Sequence, residues 1–329
     1  MRIGFTYDLK DDYLRTGFSE EEAAEFDAIE TIEGIEGTLS SLGHSVERIG
    51  NILRLAERLA AGERWDIVFN IAEGVHGIGR EAQVPALLDA YRIPYVFSDP
   101  MVLALCLHKG MTKRVVRDAG IPTAPFHIIE EESDIETLSL AYPLFVKPVA
   151  EGTGKGIGSF SKITDPEMLR QRCRELLTRF RQPVLVEEFL PGRECTVGIV
   201  GTGRAARVVG VMEVHFKPLA EQDAYGLYNK KNYHEIIEYA VPEKPLFDAC
   251  SEVALAVWRT LGCRDGGRVD VRCDACGIPN FIEVNPLAGL HPIDSDLPIL
   301  ARLNGTDYRT LIAQIMDSAI ARIERTHYE

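Results

Sequence analysis

The most informative stretch of the chain is Gly267-Arg268-Val269-Asp270-Val271-Arg272-Cys273-Asp274-Ala275-Cys276-Gly277-Ile278-Pro279-Asn280-Phe281-Ile282-Glu283-Val284-Asn285-Pro286. Two runs of alternating apolar and polar residues flank a group of turn formers, the pattern of a β-hairpin. With Cys276-Gly277 as the turn, counting outward sets Val271 against Ile282 and Val269 against Val284, an apolar face for a core. The other face then carries Asp270 against Glu283 and Arg268 against Asn285. Two directly opposed carboxylates repel unless a cation lies between them. Carboxylate and amide oxygens suit Mg²⁺, above all where substrate phosphates complete its shell. A solvated polar face is the plain alternative, and it leaves the opposed pair unexplained. Arg268, beside such a metal, is placed to stabilise an anionic intermediate. Cys273 and Cys276 make a lone Cys-x-x-Cys; a zinc site would need a second pair, so it reads as turn chemistry.

Upstream, Glu151-Gly152-Thr153-Gly154-Lys155-Gly156-Ile157-Gly158 carries glycine at every second position. Glycine lets the backbone turn its N–H groups towards an anion with no Cβ in the way. A Walker phosphate loop needs Gly-Lys-Ser/Thr opening a helix, but here Gly154-Lys155 is followed by Gly156. The loop therefore reads as a hairpin lid, like the glycine-rich flap of kinases. Lys147, at the end of the preceding strand, can reach phosphates beneath it. The next strand, residues 184–189, ends in Glu187-Glu188-Phe189-Leu190, where adenine can take backbone hydrogen bonds and an acidic group can serve the ribose.

The first hundred residues alternate strands and helices. Residues 3–7, 44–49, 65–72 and 94–97 read as strands. Ser19 with Glu22 reads as a capping box opening a helix that runs towards Leu42, and residues 81–91 read as another helix. This alternation predicts a parallel sheet with helices on its faces. The glycine fingerprint of a dinucleotide site is missing after the first strand, which disfavours an NAD-dependent dehydrogenase. Residues 99–119 read as one helix carrying Lys109, Lys113 and Arg114, ended by Gly120. A small α+β module follows, with strands at 144–148, 159–163 and 184–189 and a helix over 165–180. From residue 191 the pattern favours antiparallel strands and a closing helix over 307–322. The expected fold class is α/β (α+β in its later parts), a doubly wound parallel sheet followed by two α+β lobes. The expected domains are 1–102, 103–190 and 191–329.

The 329 residues include 36 Lys plus Arg against 50 Asp plus Glu, a net charge of −14. Such an acidic surface argues against a chain that wraps nucleic acid or sits on anionic lipid, although it allows a local anion site. No apolar run approaches the roughly 20 residues of a membrane span. The opening Met1-Arg2-Ile3-Gly4-Phe5 lacks the pattern of a signal peptide. Seven scattered cysteines read as reduced thiols, so the expected location is cytoplasmic.

A lysine before a glycine flap, an acidic strand end and an Arg-x-Asp … Glu-x-Asn hairpin together resemble the ATP-grasp superfamily, and the chain looks most like the D-alanine–D-alanine ligases. That resemblance spans nearly the whole chain, strongest over residues 109–285. It implies ATP and Mg²⁺ (or Mn²⁺) as cofactors, amino-acid or small-peptide substrates, a homodimer, and a place in peptidoglycan synthesis. It assigns Lys109 and Lys147 to the phosphates and the flap through Glu151, Gly152, Thr153 and Gly154 to their cover. Glu187 and Glu188, with the backbone of Phe189 and Leu190, would hold adenine, and Glu194 the ribose. Asp270, Glu283 and Asn285 would carry two metal ions, and Arg268 with the Gly289 N–H would form the oxyanion hole. Lys231, in the mobile loop Tyr225-Gly226-Leu227-Tyr228-Asn229-Lys230-Lys231-Asn232, would reach the γ-phosphate. Ser295 would receive the second substrate's carboxylate.

The departures fall mainly in the amino-acid pockets. Asn232 replaces a tyrosine, and Thr153 replaces a serine in the flap. The N-terminal glutamate that holds the first ammonium has Glu22 and Glu25 nearby, with Ala24 between. A Leu-His-Gly motif becomes Ala72-Glu73-Gly74, with His76 two residues beyond, and the segment after Asn285 is one residue longer. Glu25, Glu73 and His76 are therefore the candidates for the first substrate. The implied activity is an ATP-dependent carboxylate–amine ligase that works through an acyl phosphate, with D-alanine as the leading substrate. The alternatives are a ligase for another amino-acid or peptide pair and a non-catalytic ATP-binding module.

Overall fold

In the computed structural model, residues 1–221 and 223–326 are described. The chain opens with β1 (Arg2–Thr6), α1 (Lys10–Arg15), α2 (Ile29–Ser41), β2 (Ser45–Gly50), α3 (Ile52–Ala60), β3 (Ile67–Asn70) and α4 (Gln83–Ala90). The strands form a parallel sheet of order β2-β1-β3. Ile32, Ile35 and Leu39 make one stripe of α2 and pack with Ile3, Phe5 and Phe69 on one face of the sheet. Leu55 and Leu59 of α3 and Leu88 of α4 pack with Val68 on the other. The sheet is wound on both sides, as the alternation predicts.

Two N-terminal expectations change. The Ser19–Glu22 box forms, with Glu22 N donating to Ser19 Oγ at 3.2 Å and Ser19 N to Glu22 at 2.9 Å. It closes only turns, however, because the chain is drawn back at Asp27: Asp27 N donates to Asp8 O (3.0 Å) and Lys10 N to Asp27 O (2.9 Å). Helix α2 therefore starts at Ile29. The strand expected over 94–97 is reduced to one parallel bridge between Val68 and Tyr95. Pro94 lacks an N–H, and Phe97 turns away at φ 76°, its N–H bound to Asp265 Oδ2 at 2.9 Å.

The helix expected over 99–119 is two helices, α5 (Pro100–Leu107) and α6 (Lys109–Asp118). They break at His108, whose ring accepts the Met111 N–H at 3.2 Å, while Lys109 N donates to Val149 O at 2.9 Å. This break starts a helix at Lys109 beside the strand that bears Lys147. The central sheet comprises β4 (Phe126–Ile129), β5 (Leu144–Pro148), β6 (Lys162–Ile163) and β7 (Val184–Glu188), in antiparallel order β4-β7-β5-β6. Helix α7 (Pro166–Phe180), capped by Asp165, covers one face through Leu169, Cys173 and Leu176. The expected 159–163 strand is a short 3₁₀ turn followed by the two residues of β6.

The last sheet, of order β10-β9-β8-β11-β12, is antiparallel. It contains β8 (Glu194–Val200), β9 (Arg207–Phe216), β10 (Ile237–Ala240), β11 (Gly266–Cys273) and β12 (Pro279–Asn285). Two short helices, α8 (Leu227–Lys231) and α9 (Tyr233–Ile236), precede β10; α10 (Lys244–Leu261) follows it, and α11 (Asp296–Leu303) and α12 (Tyr308–Thr326) follow β12. Trp258 of α10 is fully buried against this sheet. Leu311, Ile312 and Ile315 of α12 join the core of α2 and β1, so the first and last lobes share one apolar interior.

The β11–β12 register corrects one expectation and keeps the others. Arg268 pairs with Asn285, Val269 with Val284 and Asp270 with Glu283; a bulge follows, and Val271 then pairs with Phe281 rather than Ile282. The bulge buries Phe281 and turns Ile282 towards the cleft described next.

Candidate active site

The central and last sheets enclose a cleft between them. Phe145 and Lys147 of β5 and Glu187 of β7 line one side; Glu194, Asp270 and Glu283 line the other. Glu188, Phe189 and Leu190 form its end. The Phe189 N–H is already used by Pro143 O at 2.9 Å, and Glu188 Oε1 accepts the Ala141 N–H at 3.0 Å.

Buried charges are paired along the cleft. Glu187 stands between Lys113 at 2.8 Å and Lys147 at 2.9 Å, all three buried. Burial alone would raise the Glu187 carboxyl, but the two ammonium groups hold it down at about 2. Lys113 also donates to Thr123 Oγ1 at 2.5 Å and to Phe281 O at 3.3 Å, which joins α6 to the β11–β12 hairpin. Lys109 donates to Glu151 O at 2.6 Å and stands 3.4 Å from Glu283. Asp270 accepts from Arg268, from Thr196 Oγ1 at 2.9 Å and from Asn285 Nδ2 at 3.5 Å. Glu194 is 3.2 Å from Arg272, and burial still raises its carboxyl.

The glycine flap is folded against α8. Thr153, Gly154 and Gly156 all have positive φ. A Cβ on Gly154 would lie 2.8 Å from Leu227 N, whose N–H donates to Gly154 O at 3.3 Å. Glycine is required here by both conformation and approach. Lys155 is tied back to Glu151 at 2.5 Å and Glu25 at 3.3 Å.

Two further cavities meet at Arg268. The first is bounded by Glu25, Glu73, Glu81 and Lys109 on one side and by Thr153, Glu283, Asn285 and Gly289 on the other. The second is lined by Lys10, Thr153, Lys230, Lys231, Arg268, Gly289 and Ser295. Ser295 Oγ accepts the His291 N–H at 2.9 Å, and a Cβ on Gly289 would lie 2.8 Å from that hydroxyl. Thr153, Arg268 and Gly289 are common to both cavities, and Glu283 is common to the first cavity and the cleft between the sheets.

Three assignments from the sequence move. Lys230, not Lys231, lines the cleft next to Asp270; Lys231 is exposed and lines only the Ser295 cavity. Successive residues of a helix point about 100° apart, so one of two adjacent lysines on α8 faces inward. His76 is exposed in a separate hollow with Glu22 and Lys155, away from Arg268. Glu25 reaches the first cavity, but its carboxylate is occupied by Arg80 at 2.8 Å, Lys155 and the Gly152 N–H at 2.5 Å. Glu81, which no sequence motif marks, takes its place beside Glu73.

Two antiparallel sheets closing on a cleft from opposite sides, as these do, are the arrangement of the ATP-grasp fold. Residues 115–317 match the family described as D-ala D-ala ligase C-terminus. A D-alanine–D-alanine ligase of Bordetella petrii is 32% identical over 274 residues, 82% of this chain and 80% of that protein. An uncharacterized protein of Sinorhizobium fredii is 32% identical over 261 residues, 78% of this chain and 75% of that one. The D-alanine–D-alanine ligase of Bacillus anthracis complexed with ATP superposes with a TM-score of 0.72 at 22% identity, covering 99% of both chains. The VanG D-Ala:D-Ser ligase of Enterococcus faecalis gives 0.74 at 18% identity, covering 97% of this chain and 99% of that one. The chain belongs to the D-alanine–D-alanine ligase family.

Proposed function

We propose that the enzyme joins the carboxylate of one small amino acid to the amine of a second at the expense of ATP, with D-alanine on both sides as the leading reading. The observation that carries it is the shared edge of the three cavities. Glu283 borders the nucleotide cleft and the first cavity, while Arg268, Thr153 and Gly289 border both amino-acid cavities. A group phosphorylated beside Glu283 is thus within reach of an amine arriving past Ser295.

Asp270, Glu283 and Asn285 offer oxygen donors on neighbouring positions of one hairpin, a set that fits Mg²⁺ or Mn²⁺. Such an ion, when bound, neutralises phosphate charge. Lys109, Lys147 and Lys230 would hold the phosphates, and the flap through Gly152, Thr153 and Gly154 would exclude water. The first substrate's carboxylate oxygen attacks the γ-phosphorus; the bond to the β-phosphate oxygen breaks and ADP leaves. The second substrate's amine then attacks the acyl carbon, with Ser295 holding its carboxylate. Arg268 and the Gly289 N–H would stabilise the tetrahedral oxyanion, after which the carbon–oxygen bond to phosphate breaks and the amine loses a proton. No helix among the described residues is long and apolar enough to cross a membrane. The seven free thiols support a cytoplasmic setting, and the family suggests a homodimer.

The test is Mg²⁺-dependent ADP release over a panel of amino acids. Turnover with D-alanine supports the leading reading; turnover with another pair and none with D-alanine moves the substrate. Tight ATP binding with no ADP release from any pair would instead make the chain a nucleotide-binding module.

A further inference from the structure

The first amino-acid cavity gathers more carboxyl groups than there are cations left to pair with them. Its position against Arg268, Asn285 and Gly289 already makes it a substrate site on the reading above, so its side chains bear on which substrate enters. Each of its cations is engaged elsewhere. Arg80 donates to Ala150 O at 3.0 Å and to Glu25 at 2.8 Å. Lys155 is held by Glu25 and Glu151, and Lys109 by Glu151 O and Glu283. Arg268 is paired with Asp270. Glu25 is thereby neutralised twice. The side-chain carboxyls of Glu73 and Glu81 make no hydrogen bond or ion pair among the described residues.

The backbone is built to keep Glu73 there. The Gly74 N–H donates to Asp8 Oδ2 at 2.8 Å, Gly74 has φ 73°, and a Cβ on it would lie 2.7 Å from Arg80 O. That turn fixes the residue before it and the helical start that carries Glu81. Burial first, then the charge of Glu81, raises the Glu73 carboxyl well above the ordinary range. Burial and Glu25 raise Glu81 to about 8 against the pull of Arg80. Both shifts report carboxyls packed together more closely than the nearby Arg80, and for Glu81 also Lys109, offsets.

We propose that Glu73 and Glu81 select, as the carboxylate donor, a small amino acid that carries a second ammonium group on a short side chain. This rests on the ligase reading of the same site and changes that reading only on the carboxylate-donor side, where it replaces D-alanine. A neutral-side-chain amino acid brings one ammonium to these two carboxyls; a diamino acid brings two, one for each. Cys106 and Leu107 also line the cavity, an apolar stretch of wall that favours a short side chain. The carboxylate end then lies towards Glu283 and Arg268, where phosphorylation is read to occur.

The experiment compares D-alanine with D-2,3-diaminopropionate, and each with its L-enantiomer, as substrates of the full chain with ATP and Mg²⁺. One additional charge-assisted hydrogen bond in a buried site predicts roughly tenfold or more in kcat/KM for the diamino acid. In Glu73→Gln and Glu81→Gln that preference should fall towards one, with unchanged ATP affinity certifying the fold. Equal or better use of D-alanine by the wild type, or a preference that both variants keep, overturns the proposal. If no amino acid elicits ADP, the ligase reading fails separately. Calorimetric binding of the two amino acids to the enzyme with Mg²⁺ and a non-hydrolysable ATP analogue then decides this inference alone. Tighter binding of diaminopropionate that Glu81→Gln removes sustains it; equal binding, or a response to Mg²⁺ in place of the amine, rejects it.

Discussion

Asp270 and Glu283 face each other across β11 and β12, yet their carboxyls are perturbed in opposite directions. Burial raises both. For Asp270 the guanidinium of Arg268 does not overcome that burial and the charge of Glu283, and its carboxyl stays raised. For Glu283 the ammonium groups of Lys109 and Lys147, with Arg268, reverse it, and its carboxyl lies below the ordinary range. The pair is asymmetric because the lysines approach from the Glu283 side. Arg268 serves Asp270 and Lys109 serves Glu283 at 3.4 Å, so the two carboxylates meet their cations from different elements.

From this asymmetry Asp270→Asn and Glu283→Gln should each lower Mg²⁺-dependent ADP release by roughly 10²-fold or more, the scale of losing a preorganised charge at phosphoryl transfer. Circular dichroism should remain that of the wild type, since Val269, Val271 and Phe281 on the opposite face are untouched. Chelation with EDTA should give the same loss, reversed by Mg²⁺. Either variant retaining near-wild-type turnover would remove the metal-ligand assignment.

The two lysines of α8 should separate cleanly. Lys230 borders both the nucleotide cleft and the Ser295 cavity, and it is 3.8 Å from Asp296. Lys231 is exposed and borders only the second. Lys230→Ala should therefore raise the KM for ATP and lower kcat, together by about 10²-fold in kcat/KM. Lys231→Ala should act on the second amino acid and leave the KM for ATP within about twofold, as expected of an exposed charge. Steady-state kinetics with ATP varied, then amino acid varied, distinguish the two; the reverse pattern would restore Lys231 to the phosphates.

How far the sequence reached is clearest in the hairpin. Counting outward from Cys276-Gly277 opposes Asp270 to Glu283, and the structure does the same, but through two departures that compensate. The loop spans residues 274–278, which shifts the pairing by one at Cys273 and Pro279, and the bulge after Asp270 shifts it back. Alternation carries no mark of a bulge, so Val271 meets Phe281 unannounced. The alternate glycines and Lys147 stand out in the sequence because spacing and charge are local signals, and Lys147 does line the cleft wall. Lys230 was hidden because adjacent lysines are equivalent until helix phase is known. Glu81 was hidden because its role depends on Glu25 being neutralised by Arg80 and Lys155, a contact between lobes with no local signature.

The Lys113–Glu187–Lys147 cluster predicts a loss of stability in acid. The folded Glu187 carboxyl is held at about 2, below its ordinary 4.5. A depressed carboxyl contributes stability fully above its unfolded pKa and loses it as pH falls through the folded one, here from about 4.5 towards 2. The size is of order 3 kcal/mol. Glu187→Gln should destabilise by roughly 3–5 kcal/mol near neutrality, because two buried ammonium groups lose their partner. Urea melts at pH 7 and pH 3 measure it: the gap between variant and wild type should shrink at the lower pH. A constant gap would mean that the carboxylate's charge is not what the fold uses.

Glu81 predicts the opposite sign. Its folded carboxyl is raised to about 8 from 4.5, so the folded chain holds its proton while the unfolded chain releases it. The stability of that arrangement is complete below about 4.5 and declines as pH rises towards 8. At pH 7 to 8 the deficit is roughly 3–4 kcal/mol. Glu81→Gln keeps the shape and cannot ionise, so it should be more stable than the wild type at pH 8 and equal to it at pH 4. Such a gain is the expected signature of a residue held against the fold for binding. Thermal melts of the ligand-free enzyme across that range would show it, and a variant less stable than the wild type at pH 8 would mean that Glu81 supports the fold rather than the site.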